Sequence, residues 1–227
     1  HYKIAQEFIE VVIRFLWDIG MEVGQSVRSI KDCIKEAKQD VTVMTNLLEA
    51  RAIVDEGKLL KELDDKLRNG RVWMPSAFFE AKMEEQKQRH AHYNETAYNL
   101  EPNLKEGPGG LRDLHMIAWV FNRRYGIRSF TELNEQNFIN DDEHRTLIRS
   151  RNVLWRIRNG LHFLNSRRED RLLFVYQRTL AQEYGYKDEQ SRLAVEQLMQ
   201  RYYRTVKEIS FQNGLLLELY RTNEVKE

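Results

Sequence analysis

The chain has 227 residues and a mass of 27.2 kDa, long enough for one large domain or two small ones, and long enough to bury a core without staples. Eleven glycines and three prolines are about half the usual share, which argues against a sandwich or barrel with its frequent turns. Thirty-six basic and 35 acidic residues leave a net charge of +1, so no bulk field draws the chain to nucleic acid or to a membrane. Charged residues at 31% and aromatics at 11% exclude simple disorder. The single Cys33 excludes an internal disulfide and a cysteine-rich zinc site, and the cytoplasm is the expected compartment. No apolar run approaches the length of a membrane span, and no signal peptide is visible. The chain opens on His1 rather than Met, which points to a piece of something longer, or to residues missing before it.

In chain order, Ala5, Phe8, Val12, Phe15 and Leu16 make one apolar stripe and predict a helix over about 5–18, ended by Gly20. A strict alternation follows. Met21, Val23, Gln25 and Val27 share one face, and Glu22, Gly24, Ser26 and Arg28 share the other, so a strand is predicted over 21–28. Helices are expected at about 30–39, 41–55 and 57–68, and Pro75 opens another that runs to about 92. Residues 94–110 interrupt the helical pattern. A helix resumes at Leu111 and stops at Gly126. Ser129 and Glu132 have capping-box spacing, and Asp141, Asp142 and Glu143 crowd the start of a long helix. Two more helices are expected at about 175–184 and 189–220. The fold class is mainly α: a helical bundle with one small β element in front.

The most unusual stretch is Asn99-Leu-Glu-Pro-Asn-Leu-Lys-Glu-Gly-Pro-Gly-Gly-Leu-Arg-Asp-Leu-His115. Gly107, Gly109 and Gly110 let backbone amides approach an anion, and the helix opening at Leu111 offers its N-terminus. Lys105 and Arg112 flank the turn, and arginine can grip a phosphate with two N–H groups. The bland alternative is a tight turn with Arg112 and Asp113 in a structural ion pair. On the polar face of the alternation, Glu22 is a candidate carboxylate for Mg²⁺ and Arg28 a candidate phosphate contact; the alternative is a solvated strand face. Asp18 is a second candidate acid, or simply a solvated helix end. Residues 145–171 hold eight arginines against two acids. They are either a site for an acidic or phosphate-rich partner, or a solvated face paired partly with the acids at 132–143. The six histidines show no metal-ligand spacing; His90 and His92 sit two apart on a helix and face different sides. Trp17, Trp119 and Trp155 are expected in the core rather than as stacking platforms.

Several runs together resemble the bacterial protein-PII uridylyltransferase/uridylyl-removing family. They are Phe15-Leu-Trp-Asp-Ile-Gly-Met-Glu-Val-Gly-Gln-Ser-Val-Arg28, Asp40-Val-Thr-Val-Met-Thr-Asn-Leu-Leu-Glu-Ala-Arg51, the 99–113 stretch, Leu154-Trp-Arg-Ile-Arg158, Arg171-Leu-Leu-Phe174 and Met199-Gln-Arg-Tyr-Tyr-Arg204. They keep their order along nearly the whole chain. The related adenylyltransferases that act on glutamine synthetase share a Lys-x-Gly-Pro-Gly-Gly-Ile-Arg-Asp pattern and remain an alternative. So does a helical binding module without chemistry.

The resemblance implies that residues 1–55 are the back of a polymerase-β-like nucleotidyltransferase domain and residues 56–227 the helical region behind it. It implies transfer of UMP from UTP to a tyrosine of the PII signalling protein with Mg²⁺, removal of UMP by a separate HD domain, and no role for nucleic acid or membrane. The family's Gly-Ser loop and Asp-x-Asp metal pair are absent from this chain, and Gln25 stands where relatives usually carry His. The chain alone is therefore expected to be inactive. Lys105, Gly109, Gly110, Arg112 and Arg28 are the implied nucleotide contacts, with Glu22 and then Asp18 as a further metal carboxylate.

Overall fold

A computed structural model describes residues 2–54, 58–68, 72–93, 99–165 and 167–225. Ten helices follow in order among them: α1 (Tyr2–Asp18), α2 (Ile30–Gln39), α3 (Val41–Leu48), α4 (Leu59–Arg68), α5 (Pro75–His92), α6 (Leu111–Tyr125), α7 (Phe130–Glu135), α8 (Asp141–Asn165), α9 (Phe174–Glu183) and α10 (Ala194–Val225). The mainly helical reading holds. The caps explain most boundaries. Ser29 and Asp32 form a capping box at α2, and Asp40 accepts from the Thr42 N–H to open α3. Ser29 likewise has a counterpart in Ser129, whose side chain accepts from the Glu132 N–H at α7. Gly126, at φ 75°, closes α6 in the left-handed region.

Helix α6 is the centre of the body. It buries Leu111, Leu114, Met116, Ile117, Val120 and Phe121, and its buried residues cover more than one face. A helix apolar on several faces has to be surrounded. Here α5, α3, α8 and α10 surround it. Helix α10, 32 residues and about 48 Å long, runs along α6, α8 and α9 and ties the body together. Tyr220 on α10 stacks on Phe79 of α5 at 4.5 Å between ring centres and meets Phe121 of α6 edge-on at 5.7 Å. Such aromatic pairs add about 0.5–1.5 kcal/mol each beyond their burial.

Three expectations need restating. Residues 21–29 form no strand, although the alternation at 21–28 is clear. A strand needs a neighbour to take its N–H and C=O groups, and none of the described segments pairs with it; the only described bridges are Asn103 with Arg171 and Glu189 with Arg192. Helix α3 ends at Leu48 rather than near 55, and α10 starts at Ala194 rather than 189. In the second case the Glu189–Arg192 bridge folds the preceding residues into a short loop. The buried core draws on residues from both sides of position 55: Ala37, Met44 and Leu48 lie in the same cluster as Phe78, Leu114 and Tyr220.

The front of the chain differs from the rest. The stripe of α1 is uncovered, with Phe8 68% exposed, Phe15 60% and Trp17 55%. The expectation that Trp17 lies in a core is therefore not met, whereas Trp119 is buried. Trp155 is half-exposed beneath the Arg151 guanidinium.

Candidate functional site

The 99–113 stretch is a folded clamp rather than an open loop. Asn103 organises its first half: its Oδ1 accepts from the Lys105 and Glu106 N–H groups at 3.0 and 2.8 Å. The strand-like edge 102–104 pairs with 170–172. The Leu104 N–H donates to the Asp170 carbonyl and the Leu172 N–H to the Pro102 carbonyl, each at 2.8 Å. Two of the runs that carry the family resemblance are thus hydrogen-bonded to each other.

The turn closes on itself. The Gly110 N–H donates to the Gly107 carbonyl, Leu111 to Leu104, Arg112 to Lys105 and Asp113 to Gly110. The Gly109 N–H donates to the Asp113 carboxylate at 2.7 Å. Every amide expected to face an anion at the start of α6 already has a partner inside the turn. The glycines instead permit close packing. Gly109 has φ +72°, and a Cβ there would strike the Val206 carbonyl oxygen and lie 2.7 Å from Ser210 Oγ on α10. A Cβ on Gly110 would lie 2.7–2.9 Å from the carbonyls of Gly107, Lys105 and Leu104.

Asp113 is the hub. Its side chain is 1% exposed. It accepts from Gln86 Nε2 at 2.9 Å and from Arg89 of α5, and His90 Nε2 lies 2.9 and 3.1 Å from its two oxygens. Gln86 also reaches Asn213 of α10, whose Nδ2 donates to the Asp113 carbonyl. One carboxylate thus joins α5, the turn and α6, and the same network extends to α10. Burial pushes its acidity toward a higher pKa, but the His90 contact, the Arg89 charge and the Gln86 hydrogen bond outweigh it and hold the carboxyl below its ordinary value. The expected Arg112–Asp113 ion pair does not form. Consecutive helix residues point about 100° apart, and each finds another partner.

Arg112 and Lys105 both turn to Glu106, at 3.2 Å each. They remain partly exposed, 27% and 20%. Burial raises the Glu106 pKa and the two cations lower it further than that, so it stays ionised below the usual range. Arg112 also lies 5.4 Å from the Trp119 ring centre. Lys82 of α5, absent from the sequence reading, sits 4.1 Å over the same ring and 2.6 Å from Glu85, with its side chain 2% exposed. Burial lowers its pKa. Trp119 Nε1 donates to Glu49 at 2.7 Å, and His115 lies 5.7 Å from the Trp119 ring with its pKa lowered by burial. Spacing alone could not find Arg89 or His90, whose partner Asp113 lies 24 and 23 positions on, nor the Trp119 ring 37 positions from Lys82; only the Lys82–Glu85 pair, three apart on α5, was a local signal.

The front candidates lie apart from this cluster. Asp18, Glu22 and Arg28 are exposed, and the hollow beside Glu22 is lined by Trp17, Gly20, Met21, Glu22, Val23 and Gly24, all from one short segment. Among the described residues no group of three or more His, Cys, Asp or Glu side chains could hold a metal ion. No described helix is long and apolar enough to cross a membrane.

A family model described as GlnD PII-uridylyltransferase matches residues 77–217, from α5 through the clamp to α10. The chain is similar to bifunctional uridylyltransferase/uridylyl-removing enzymes. It is 46% identical over 208 residues to that of Stutzerimonas stutzeri, 47% over 217 to that of Nitrosococcus oceani and 48% over 208 to that of Methylococcus capsulatus. These alignments cover 92, 96 and 92% of this chain but only 23, 24 and 24% of the relatives. With the matched region spanning the clamp, α6 and the helices packed around them, the chain belongs to the PII-uridylyltransferase family.

Proposed function

We propose that the chain is part of an enzyme that transfers UMP from UTP to a tyrosine of the PII protein and removes it through a separate domain. The observation that carries this reading is the similarity to bifunctional enzymes across more than nine-tenths of the chain. Residues 1–55 would form the back of the nucleotidyltransferase domain, and 56–227 the helical region. The uncovered stripe of α1 and the unpaired alternation at 21–28 support this, because both are what a sheet and its helix look like when their neighbours lie elsewhere. Helices α2 and α3 would sit at the junction, sharing the helical region's core.

In this reading Lys105 and Arg112 meet the UTP phosphates with their side chains, competing with Glu106, and Arg28 supplies a further cation. Gly109 and Gly110 shape the turn rather than offer free amides. Mg²⁺, when bound, would supply neutralisation of the charge that develops on the pyrophosphate leaving group. Glu22, or else Asp18, would add one carboxylate to ligands contributed from outside this chain. The protein works in the cytoplasm, without nucleic acid or membrane.

The test is labelling of purified PII with radioactive UMP from UTP and Mg²⁺. Full-length protein should label it, and residues 1–227 alone should not. Labelling by the 227-residue chain alone, or none by the full-length protein, would sink the proposal.

A further inference from the structure

A second feature of the surface lies outside this chemistry. Between α8 and α10 runs an open groove of about 620 Å³. Ile148 and Val153 form its floor, and Arg145, Arg149, Arg156 and Arg201 stand along it. No carboxylate lines it. Two of the four groove arginines have a carboxylate partner at the groove's edge, and Arg156 and Arg201 have none among the described ion pairs. Asp142 holds Arg145 from the exposed end, Glu208 reaches Arg149 only at 3.4 Å, and Asp170 is taken by Arg158 on another face. Arg156 lies 4.4 Å over the Tyr184 ring, and Arg201 donates to the Tyr186 hydroxyl at 3.3 Å. Stacking and a neutral hydroxyl fix these two guanidiniums without cancelling their charge.

We propose that this groove binds a glutamate- or aspartate-rich peptide segment of a protein partner in extended form. The arginines are strung out rather than convergent. Arg145 to Arg156 spans about 16 Å of helix rise, too long for one phosphate and equal to about five residues of extended peptide. Arg145 and Arg149 are about 6 Å apart along the axis, close to the ~6.6 Å between alternate side chains of a strand. Carboxylates at every second position would meet them, while the backbone lies over Ile148 and Val153. Single-stranded nucleic acid fits less well, because it needs open aromatic faces; no Phe, Tyr or Trp ring lines the groove, and the neighbouring Tyr184 ring is stacked under Arg156. The inference does not depend on UMP transfer.

The test is fluorescence anisotropy of a fluorescein-labelled decapeptide alternating glutamate and alanine, titrated with full-length protein. Saturable binding is expected, weakening severalfold as salt is raised through the range that screens exposed charges. The triple charge reversal Arg149→Glu, Arg156→Glu, Arg201→Glu should weaken it at least about tenfold. The triple Arg→Lys variant should stay within about threefold. Reversing Arg167 and Arg168, exposed but outside the groove, should change nothing. Circular dichroism confirms that each variant is folded. Binding that survives the reversal in a folded protein, passes equally to a glutamine–alanine peptide, or is outcompeted by an oligouridylate decamer overturns the proposal. So does an absence of binding to the glutamate peptide.

Discussion

Replacing Asp113 tests the clamp most sharply. Asp113→Ala would strip acceptors from Gln86, Arg89 and the Gly109 N–H at once, and leave the Arg89 guanidinium, 11% exposed, without its carboxylate. Arg89 Nε is already buried without a hydrogen-bond partner, so the guanidinium starts partly unsatisfied. Removing one member of a buried pair costs about 3–5 kcal/mol. For a chain of this size each kcal/mol lowers Tm by about 2–4 °C, so a fall of roughly 6–20 °C is expected. Asp113→Asn keeps an acceptor for the Gly109 N–H and should lose about half as much. Thermal melts followed by circular dichroism at neutral pH read both. The acid limb gives a second reading. Because the folded carboxyl titrates below its ordinary value of 3.8, its contribution is present above that pH and is lost as pH falls through the lower folded value. The asparagine variant should show a shallower loss of stability below about pH 4. A Tm change under about 2 °C for the alanine variant would refute the hub, since it would mean that the three helices hold without it.

Glycine substitutions should separate by position. Gly109→Ala meets the Val206 carbonyl at positive φ and should cost at least about 3 kcal/mol, whereas Gly214→Ala, with nothing within 4 Å on an exposed face of α10, should gain about 0.5–1 kcal/mol; urea unfolding reads both. Arg123→Ala should destabilise by about 2–4 kcal/mol in the same assay, because its guanidinium donates to the Val72 and Trp73 carbonyls that lead into α5. His115 should titrate below 6.5 by NMR, since burial outweighs the pull of Glu49. Its depressed pKa contributes stability that is complete above 6.5 and declines as pH falls toward the folded value. A midpoint at or above 6.5 would contradict its placement beside Trp119.

The sequence made the helices legible wherever a local signal existed. Gly126 stops α6 because only a left-handed residue closes it there, and Ser29, Asp40 and Ser129 open their helices with side-chain oxygens. The alternation at 21–28 was equally clear as a pattern, yet pattern alone does not provide the neighbour that a strand requires. The glycine-rich turn was recognised as special but its reason was not. The partners of Asp113 sit on α5 and those of Gly109 on α10, about a hundred residues on, and no spacing rule joins them. The arginine excess at 145–171 was visible from composition, while its split between Asp170 on one face and an open groove on another depends on where α10 lies.

Under the proposed function, the clamp presents Arg112 to the phosphates of UTP while Asp113 holds the clamp in place. The most direct measurement is steady-state UMP transfer to PII by full-length Arg112→Ala, as a function of UTP. A KM for UTP raised, or kcat lowered, by about tenfold or more with an unchanged melting temperature is the predicted result. Wild-type kinetics from a folded Arg112→Ala protein would contradict it and leave the clamp a purely structural device.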